Sequence, residues 1–422
     1  MSSFSRRSFL RNSALAATAP LILPSSTRAA PSNRIVMGFI GVGGMGSGNL
    51  NSFLNHHDVQ VVAVCDIDKG RARSAADNVN KRHGTSDCAT YSDFRELIAR
   101  TDLDAVALAL PDHWHTIPAV MAAQAGLDIY GEKPLARSIV EGRHIVNAVQ
   151  RNGRVWQTGS WQRSQENFRR GAELVRNGRI GKIQKVEVGL PTGGGTGDHA
   201  PQPVPEGVDW DMWLGPAPWA EYTNQRMHYQ WRWIQDYSGG QLTDWAGHHI
   251  DIAHWGLGCD HTGPRFVQGT ATFPKSGLWN TATHYRIQCE YETGVVFEIA
   301  DASQIPMGTK WIGDKGWVRV DRGGVLQASD PAILREQIGA GETRLYRSTD
   351  HQRNFLDCVK SRQLTITPVE TAHRSISVGL LCEIAFLIGR KIKWDPVTET
   401  IADDPGASAL LHRAYRAPWT LA

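Results

Sequence analysis

No Cys-x-x-Cys pair occurs among the six cysteines, which excludes a zinc ribbon. No run of 18 or more apolar residues occurs, so no membrane span is evident. The His-Glu-x-x-His spacing of a helical zinc site is missing, and so are internal repeats. Excess charge of one sign is missing too. The chain is +3, but residues 1–29 carry Arg6, Arg7, Arg11 and Arg28 and no acid, which leaves the remainder at −1. A near-neutral surface argues against a nucleic-acid partner. Cys65, Cys88, Cys259, Cys289, Cys358 and Cys382 are scattered, and Cys65 and Cys382 sit in apolar runs. Free thiols are expected.

What remains is a globular composition, 41% hydrophobic and 21% charged over 422 residues, long enough for about two domains. The N-terminus, "SRRSFLRNSALAATAPLILPSSTRAA", has a basic start, a short apolar stretch from Ala14 to Leu23, and small residues around Ala29 and Ala30. That order predicts a cleaved signal over residues 1–29. Its Arg6-Arg7 pair followed by Ser8-Phe9-Leu10 resembles a twin-arginine export signal, implying the twin-arginine machinery as a partner and a periplasmic or otherwise exported protein.

The next part alternates buried-type strands with helical segments. "RIVMGFIGVG" (34–43), "HDVQVVAVCDID" (57–68), "LDAVALALP" (103–111), "GLDIYGEKPLA" (126–136) and "RVWQTGS" (154–160) read as strands. This predicts a doubly wound parallel α/β sheet over residues 32–155. Beyond about residue 156 the pattern changes. Segments 182–190, 283–302 and 311–324 alternate or are β-branched, which predicts a second α/β domain over 156–422 with a large, mostly antiparallel open sheet. Helices are expected at about 239–256 and 368–389. The Gly/Pro-rich stretch 190–207 is a loop of a length that is usually functional.

"GVGGMG" places Gly41, Gly43 and Gly46 in the G-x-G-x-x-G spacing, with Gly44 and Met45 between them, directly after a strand and opening a helix. That context predicts a dinucleotide site: a tight turn, backbone close to a pyrophosphate, and a helix N-terminus facing its charge. Asp66 ends the next strand, 20 residues after Gly46. A carboxylate there accepts from ribose hydroxyls and repels a 2′-phosphate, which favours NAD over NADP.

With "ALPDHWH" (109–115), "GEKP" (131–134) and "GGQLTDWAGHHIDIAHW" (239–255), the whole chain after the signal resembles the Gfo/Idh/MocA oxidoreductases, in the exported branch to which "NFLDCVKS" and "GRKIKWDP" are also similar. The resemblance implies a Rossmann domain followed by an α/β domain, a sugar or cyclic polyol as substrate, and a homo-oligomer. It implies a cofactor cleft that includes Pro111, His115, Glu132 and Lys133. It implies a catalytic set of Lys133, Asp244 and His248. His249 and the density of tryptophan depart from common members.

At 100° per residue, Asp244, His248, Asp251 and Trp255 share one helix face, while His249 and His254 point elsewhere. Such a face could hold a metal, but a lysine cation beside it disfavours one, and no metal is expected. Oxidising a secondary alcohol needs a base of near-neutral pKa, which suits His248, with Lys133 the competitor and Asp251 in support. Seven of fifteen tryptophans lie between Trp210 and Trp255, as a saccharide platform or as packing. Tyr229, Trp231, Arg232 and Tyr237 are candidate substrate contacts.

The expected activity is NAD(P)-dependent oxidation of a secondary alcohol on a pyranose, glycoside or cyclic polyol. Export removes the protein from a free nicotinamide pool, so the NAD is expected to be tightly bound. One alternative is an NAD-dependent glycosidase working by transient ring oxidation, elimination, hydration and re-reduction. Another is a non-catalytic sugar-binding or sensor module.

Overall fold

The computed structural model describes residues 34–421, so the expected export signal lies outside the described residues. The first sheet has six parallel strands: β1 (Ile35–Ile40), β2 (Val59–Cys65), β3 (Ala89–Tyr91), β4 (Ala105–Leu108), β5 (Asp128–Gly131) and β6 (Trp156–Thr158). Their order, β3-β2-β1-β4-β5-β6, is the dinucleotide-binding order, which opens a crevice beyond the carboxyl ends of β1 and β4. β4 reads Ala-Val-Ala-Leu and is buried throughout, because helices cover both faces of the sheet. The sheet ends at Thr158, slightly past the expected boundary. The alternation of pattern did not reveal β3 or the helix Lys69–His83.

The second sheet has nine strands: β7 (Ile183–Leu190), β8 (Phe266–Thr272), β9 (His284–Glu290), β10 (Val296–Asp301), β11 (Gly308–Gly313), β12 (Gly316–Asp321), β13 (Val325–Ala328), β14 (Ile392–Asp395) and β15 (Thr400–Ile401). All its pairs are antiparallel except β7 with β10. β9 alternates exposed and buried residues, as expected for a sheet covered on one face. Helix Val369–Ile388 lies against that covered face. It is long and apolar enough to span a bilayer, but 83% of its most apolar window is buried inside the protein. The open face carries crossed ion pairs, Lys185 with Glu187 and Glu298, and Arg286 with Glu298.

The C-terminal region also returns to the parallel sheet. In helix His351–Ser361, Phe355 packs on Phe53 and Tyr130, and Arg353 and Lys360 pair with Asp58. From Ile35 onward the chain is therefore one compact unit. All six cysteines are free, with the Cys289 and Cys382 sulfurs 3.7 Å apart.

The expected helix 239–256 is not one regular helix. It runs as an α-helix over Gly240–Trp245, a π segment over Ala246–Ile250, and an α-helix again over Asp251–Leu257. A π turn takes one more residue than an α turn, so it breaks the register that a uniform wheel assumes.

Candidate active site

The glycine loop follows β1. Gly41 has φ +80°, which a side chain resists. A Cβ on Gly46 would lie 2.0 Å from the Gly41 carbonyl oxygen, so the helix Gly44–Phe53 can start this close only with glycine there. Around Gly44 there is open space. Asp66 closes the corner: its carboxylate accepts the backbone N–H of Val42 at 2.9 Å and of Asp68 at 3.0 Å. Burial nevertheless raises its pKa, against those two bonds and the charge of Arg71.

These residues bound a cleft of about 500 Å³. Gly41, Gly43, Gly44, Met45, Gly46, Asp66, Pro111, Glu132 and Lys133 all line it. A tight turn, a helix N-terminus and a carboxylate ending β2 along one cleft fit a dinucleotide. Arg71 lines it as well, lying so near that a Cβ on Gly43 would meet its guanidinium at 2.5 Å. The sequence reading missed this cation, although it stands five residues after Asp66.

The outer wall comes from the second domain. The backbone N–H of Lys69 donates to Gly207 O and that of Asp209 to Ile67 O, so the end of the long loop pairs with the chain just after Asp66. Trp210 and Trp213 follow, stacked with centroids 4.7 Å apart, and Trp213 lines the cleft with Tyr229, Trp231 and Arg232. The "PDHWH" turn anchors this wall. The Trp114 indole N–H donates to the Trp213 carbonyl at 2.9 Å, and His113 Nε2 is 3.0 Å from the same oxygen. Burial lowers the His113 pKa to about 3, as suits a neutral structural ring.

Two assignments need correction. His115 does not line the cleft. Its two ring nitrogens lie 2.6 Å and 2.7 Å from the carbonyl oxygens of Pro134 and Leu110, so it braces the turn that carries Lys133. Tyr237 is fully buried among Trp213 and His113, with its hydroxyl 3.1 Å from Arg226, and packs behind the cleft lining without being part of it.

Lys133 follows β5, and its peptide to Pro134 is cis. Its ammonium donates to Asp244 Oδ1 at 2.8 Å, with both side chains nearly buried. Burial would raise the Asp244 carboxyl, but the charges of Lys133 and Arg232 outweigh it and hold the pKa below the usual range. Arg232 Nε lies 3.5 Å from the same oxygen, and its guanidinium stacks on Tyr229 and Trp231. A Cβ on Gly247 would lie 2.9 Å from Lys133 Cβ, so this glycine lets the π segment pack against the lysine stem. Ser160 Oγ fixes the segment by donating to Gly247 O at 2.7 Å.

His248 stands next along that segment, between the indoles of Trp161 and Trp245, with centroids at 6.1 Å and 5.4 Å. Its Nδ1 is buried without a hydrogen-bond partner among the described residues. Burial first, and then the charges of Lys133 and Arg322, push its pKa well below that of ordinary imidazole. The ring is held neutral with a free lone pair, and is a weaker base than the near-neutral imidazole expected.

The other two histidines serve elsewhere. His249 faces Gln162 and Asp321, and His254 Nε2 is 2.6 Å from the Tyr291 hydroxyl. Asp251 also leaves the site, against the expectation of support. It is held from both oxygens by buried Arg163, at 2.7 Å and 2.9 Å, because the π segment turns it to the back of the helix. Trp255 goes with it, under the same guanidinium at 5.1 Å. Of the tryptophans, Trp210, Trp213 and Trp231 form a packed wall, and Trp245 faces His248.

Two domain families match the chain: "Oxidoreductase family, NAD-binding Rossmann fold" over residues 35–160, and "Oxidoreductase family, C-terminal alpha/beta domain" over residues 164–421. An inositol 2-dehydrogenase of Salmonella typhimurium is 32% identical over 147 residues, covering 34% of this chain and 42% of the relative. A glycosyl hydrolase family 109 protein of Shewanella baltica is 29% identical over 119 residues, covering 27% of this chain and 26% of the relative. The chain thus spans less than half the length of these curated relatives. In fold it is similar to the WlbA dehydrogenase of Bordetella pertussis, solved with NADH and UDP-GlcNAcA, at TM-score 0.62 and 17% identity over 86% of this chain and 99% of that one.

Proposed function

Since the chain belongs to the Gfo/Idh/MocA family of NAD-binding oxidoreductases, we propose that it oxidises a secondary alcohol on a sugar, glycoside or cyclic polyol with a tightly held NAD. The observation that carries this is Lys133, which lines the cleft and pairs with buried Asp244, with neutral His248 on the adjoining π segment. When bound, the nicotinamide supplies the hydride acceptor. The residues of this chain handle the rest. Lys133 orients the reacting hydroxyl and stabilises negative charge as it develops on oxygen. Asp244 fixes Lys133 and accepts from a neighbouring hydroxyl. His248 takes the proton. NAD is favoured over NADP because a carboxylate at the end of β2, as Asp66 is, repels a 2′-phosphate.

Tight retention rests on the clamp of residues 207–213 over the Asp66 corner, and it accords with an exported protein that folds around its cofactor. Self-association through the open sheet face belongs to the same reading. Protein purified without added nucleotide is expected to release nearly one equivalent of NAD on denaturation, detected by chromatography. A reactive sugar is expected to raise the reduced-nicotinamide absorbance of the native protein. Cofactor-free protein that turns over only with added NAD would overturn retention. No absorbance change with any polyol, sugar or glycoside would overturn the activity.

The same residues also suit a second reading, redox-neutral glycoside cleavage by transient oxidation, elimination, hydration and re-reduction. The likeness to a glycosyl hydrolase family 109 protein supports it. Release of an aglycone without accumulation of NADH distinguishes it from net oxidation.

The pH profile tests the base. His248 must be neutral to accept the proton, and burial with two nearby cations lowers its pKa. Activity is therefore present above the lowered pKa and lost only beneath it. The acid limb of kcat/KM is expected to fall below about 6.5, the ordinary imidazole value. An acid limb at or above that value would exclude His248 as the base.

A further inference from the structure

Arg322 sits at the tip of the β12–β13 hairpin, outside every motif considered so far. Its guanidinium carbon lies 4.2 Å from the Trp245 ring centroid and 4.6 Å from that of Trp161. These are the two indoles that flank His248, so the guanidinium and the imidazole share one aromatic box. The tip is held in place. Asn167 Nδ2 donates to the carbonyl oxygens of Asp321 and Val325 on either side of the turn, and Asp321 Oδ1 accepts the Arg322 backbone N–H.

The side chain itself makes no hydrogen bond and has no carboxylate within 4 Å among the described residues, and its Nε is buried without a partner. Asp244 and Asp321 lie near enough to act on it through space, but both are committed. Asp244 is held by Lys133 and Arg232, and Asp321 faces Arg319 and His249. Lys133, Arg232 and Arg322 thus surround a site in which Asp244 is the one carboxylate shared among them. The guanidinium is stacked on two indoles and finds no acceptor among the described residues, and its planar fork matches carboxylate or phosphate oxygens.

We propose that the substrate is an anionic sugar, a uronate or a phosphate ester, whose charged group is held by Arg322 beside Trp161, Trp245 and His248. This rests on the sugar-site reading above and narrows its substrate class. A purely catalytic use of the surplus charge, stabilising an alkoxide, would favour neutral and anionic substrates alike. Discrimination between the two separates these possibilities.

The test is titration of the purified holoprotein with matched pairs, by calorimetry and by tryptophan fluorescence. The pairs are glucuronate with glucose, galacturonate with galactose, and glucose 6-phosphate with glucose. At least one anionic member is expected to bind about tenfold or more tightly than its neutral partner, the worth of a charged hydrogen bond. Which arm responds identifies the anion. Arg322→Gln is expected to erase that ratio, and Arg322→Lys to keep part of it. A packing defect alone would weaken both members and leave the ratio unchanged. No preference in any pair, or a preference that survives Arg322→Gln, overturns the proposal. An anionic sugar that binds through Arg322 without ever altering the nicotinamide absorbance leaves this assignment standing and fails the oxidoreductase reading instead.

Discussion

Lys133→Met is expected to lower turnover by about a thousand-fold while the protein keeps its NAD. The magnitude is that of removing one preorganised charge from a transition state in which an oxygen becomes negative. Lys133 does two things at once. It presents a cation to the reacting hydroxyl, and it neutralises Asp244, buried 2.8 Å away. Methionine keeps the apolar stem against Gly247 but strands the carboxylate. Breaking one side of a buried pair costs about 3–5 kcal/mol, so stability must be followed alongside rate. Lys133→Arg keeps the charge and removes that ambiguity. If it too loses most activity while melting like the parent, the point charge and its reach are what matter. Single-turnover reduction of the bound cofactor, read beside its stoichiometry, decides the case. Turnover within tenfold of the parent in Lys133→Met would remove Lys133 from the chemistry.

The outcome bears on why this site was legible from residues far apart. Glycine spacing, Asp66 and Lys133 sit at the ends of parallel strands, and the fold converts those positions into a cleft with little freedom. Local pattern therefore found most of the residues that line the cleft. It failed where burial decides. Tyr237 and Trp231 are alike in sequence, yet one is sealed behind Trp213 and the other lines the cleft. His115 stands at a strand's carboxyl end, as a ligand contact would, but its ring turns back to brace the Pro134 carbonyl. Arg322 and Trp161 reach His248 from a hairpin tip and from the turn after β6, 74 and 87 residues away along the chain. No motif marks either one.

The π segment produced the most consequential error, and it supplies the second large expectation. Arg163→Met is expected to destabilise the protein by about 3–5 kcal/mol, with little change in cofactor content per folded molecule. Arg163 is buried, donates twice to Asp251 and twice to Asp260, and lies over Trp255. Burial alone would weaken its charge, but the two carboxylates outweigh that and hold it protonated. Removing it leaves the Asp251 carboxylate with no counter-charge in the interior. Asp260 is less affected, being about one quarter exposed. The double variant Arg163→Met with Asp251→Asn is expected to recover part of the loss, since the uncompensated charge is gone. Denaturant unfolding of the two variants measures that recovery.

The prediction separates the two readings of Asp251. If it supported the catalytic face, as a uniform helix would have it, Asp251→Asn would cut kcat and leave stability nearly alone. Held as it is by Arg163, it should do the reverse. Asp244 faces Lys133 just before the Ala246–Ile250 turn and His248 faces Trp161 and Trp245 within it, while the extra residue of that turn leaves Asp251 at the back, where the ion pair pins the end of the segment. The wide turn is thereby anchored by charge on the side away from Lys133 and His248.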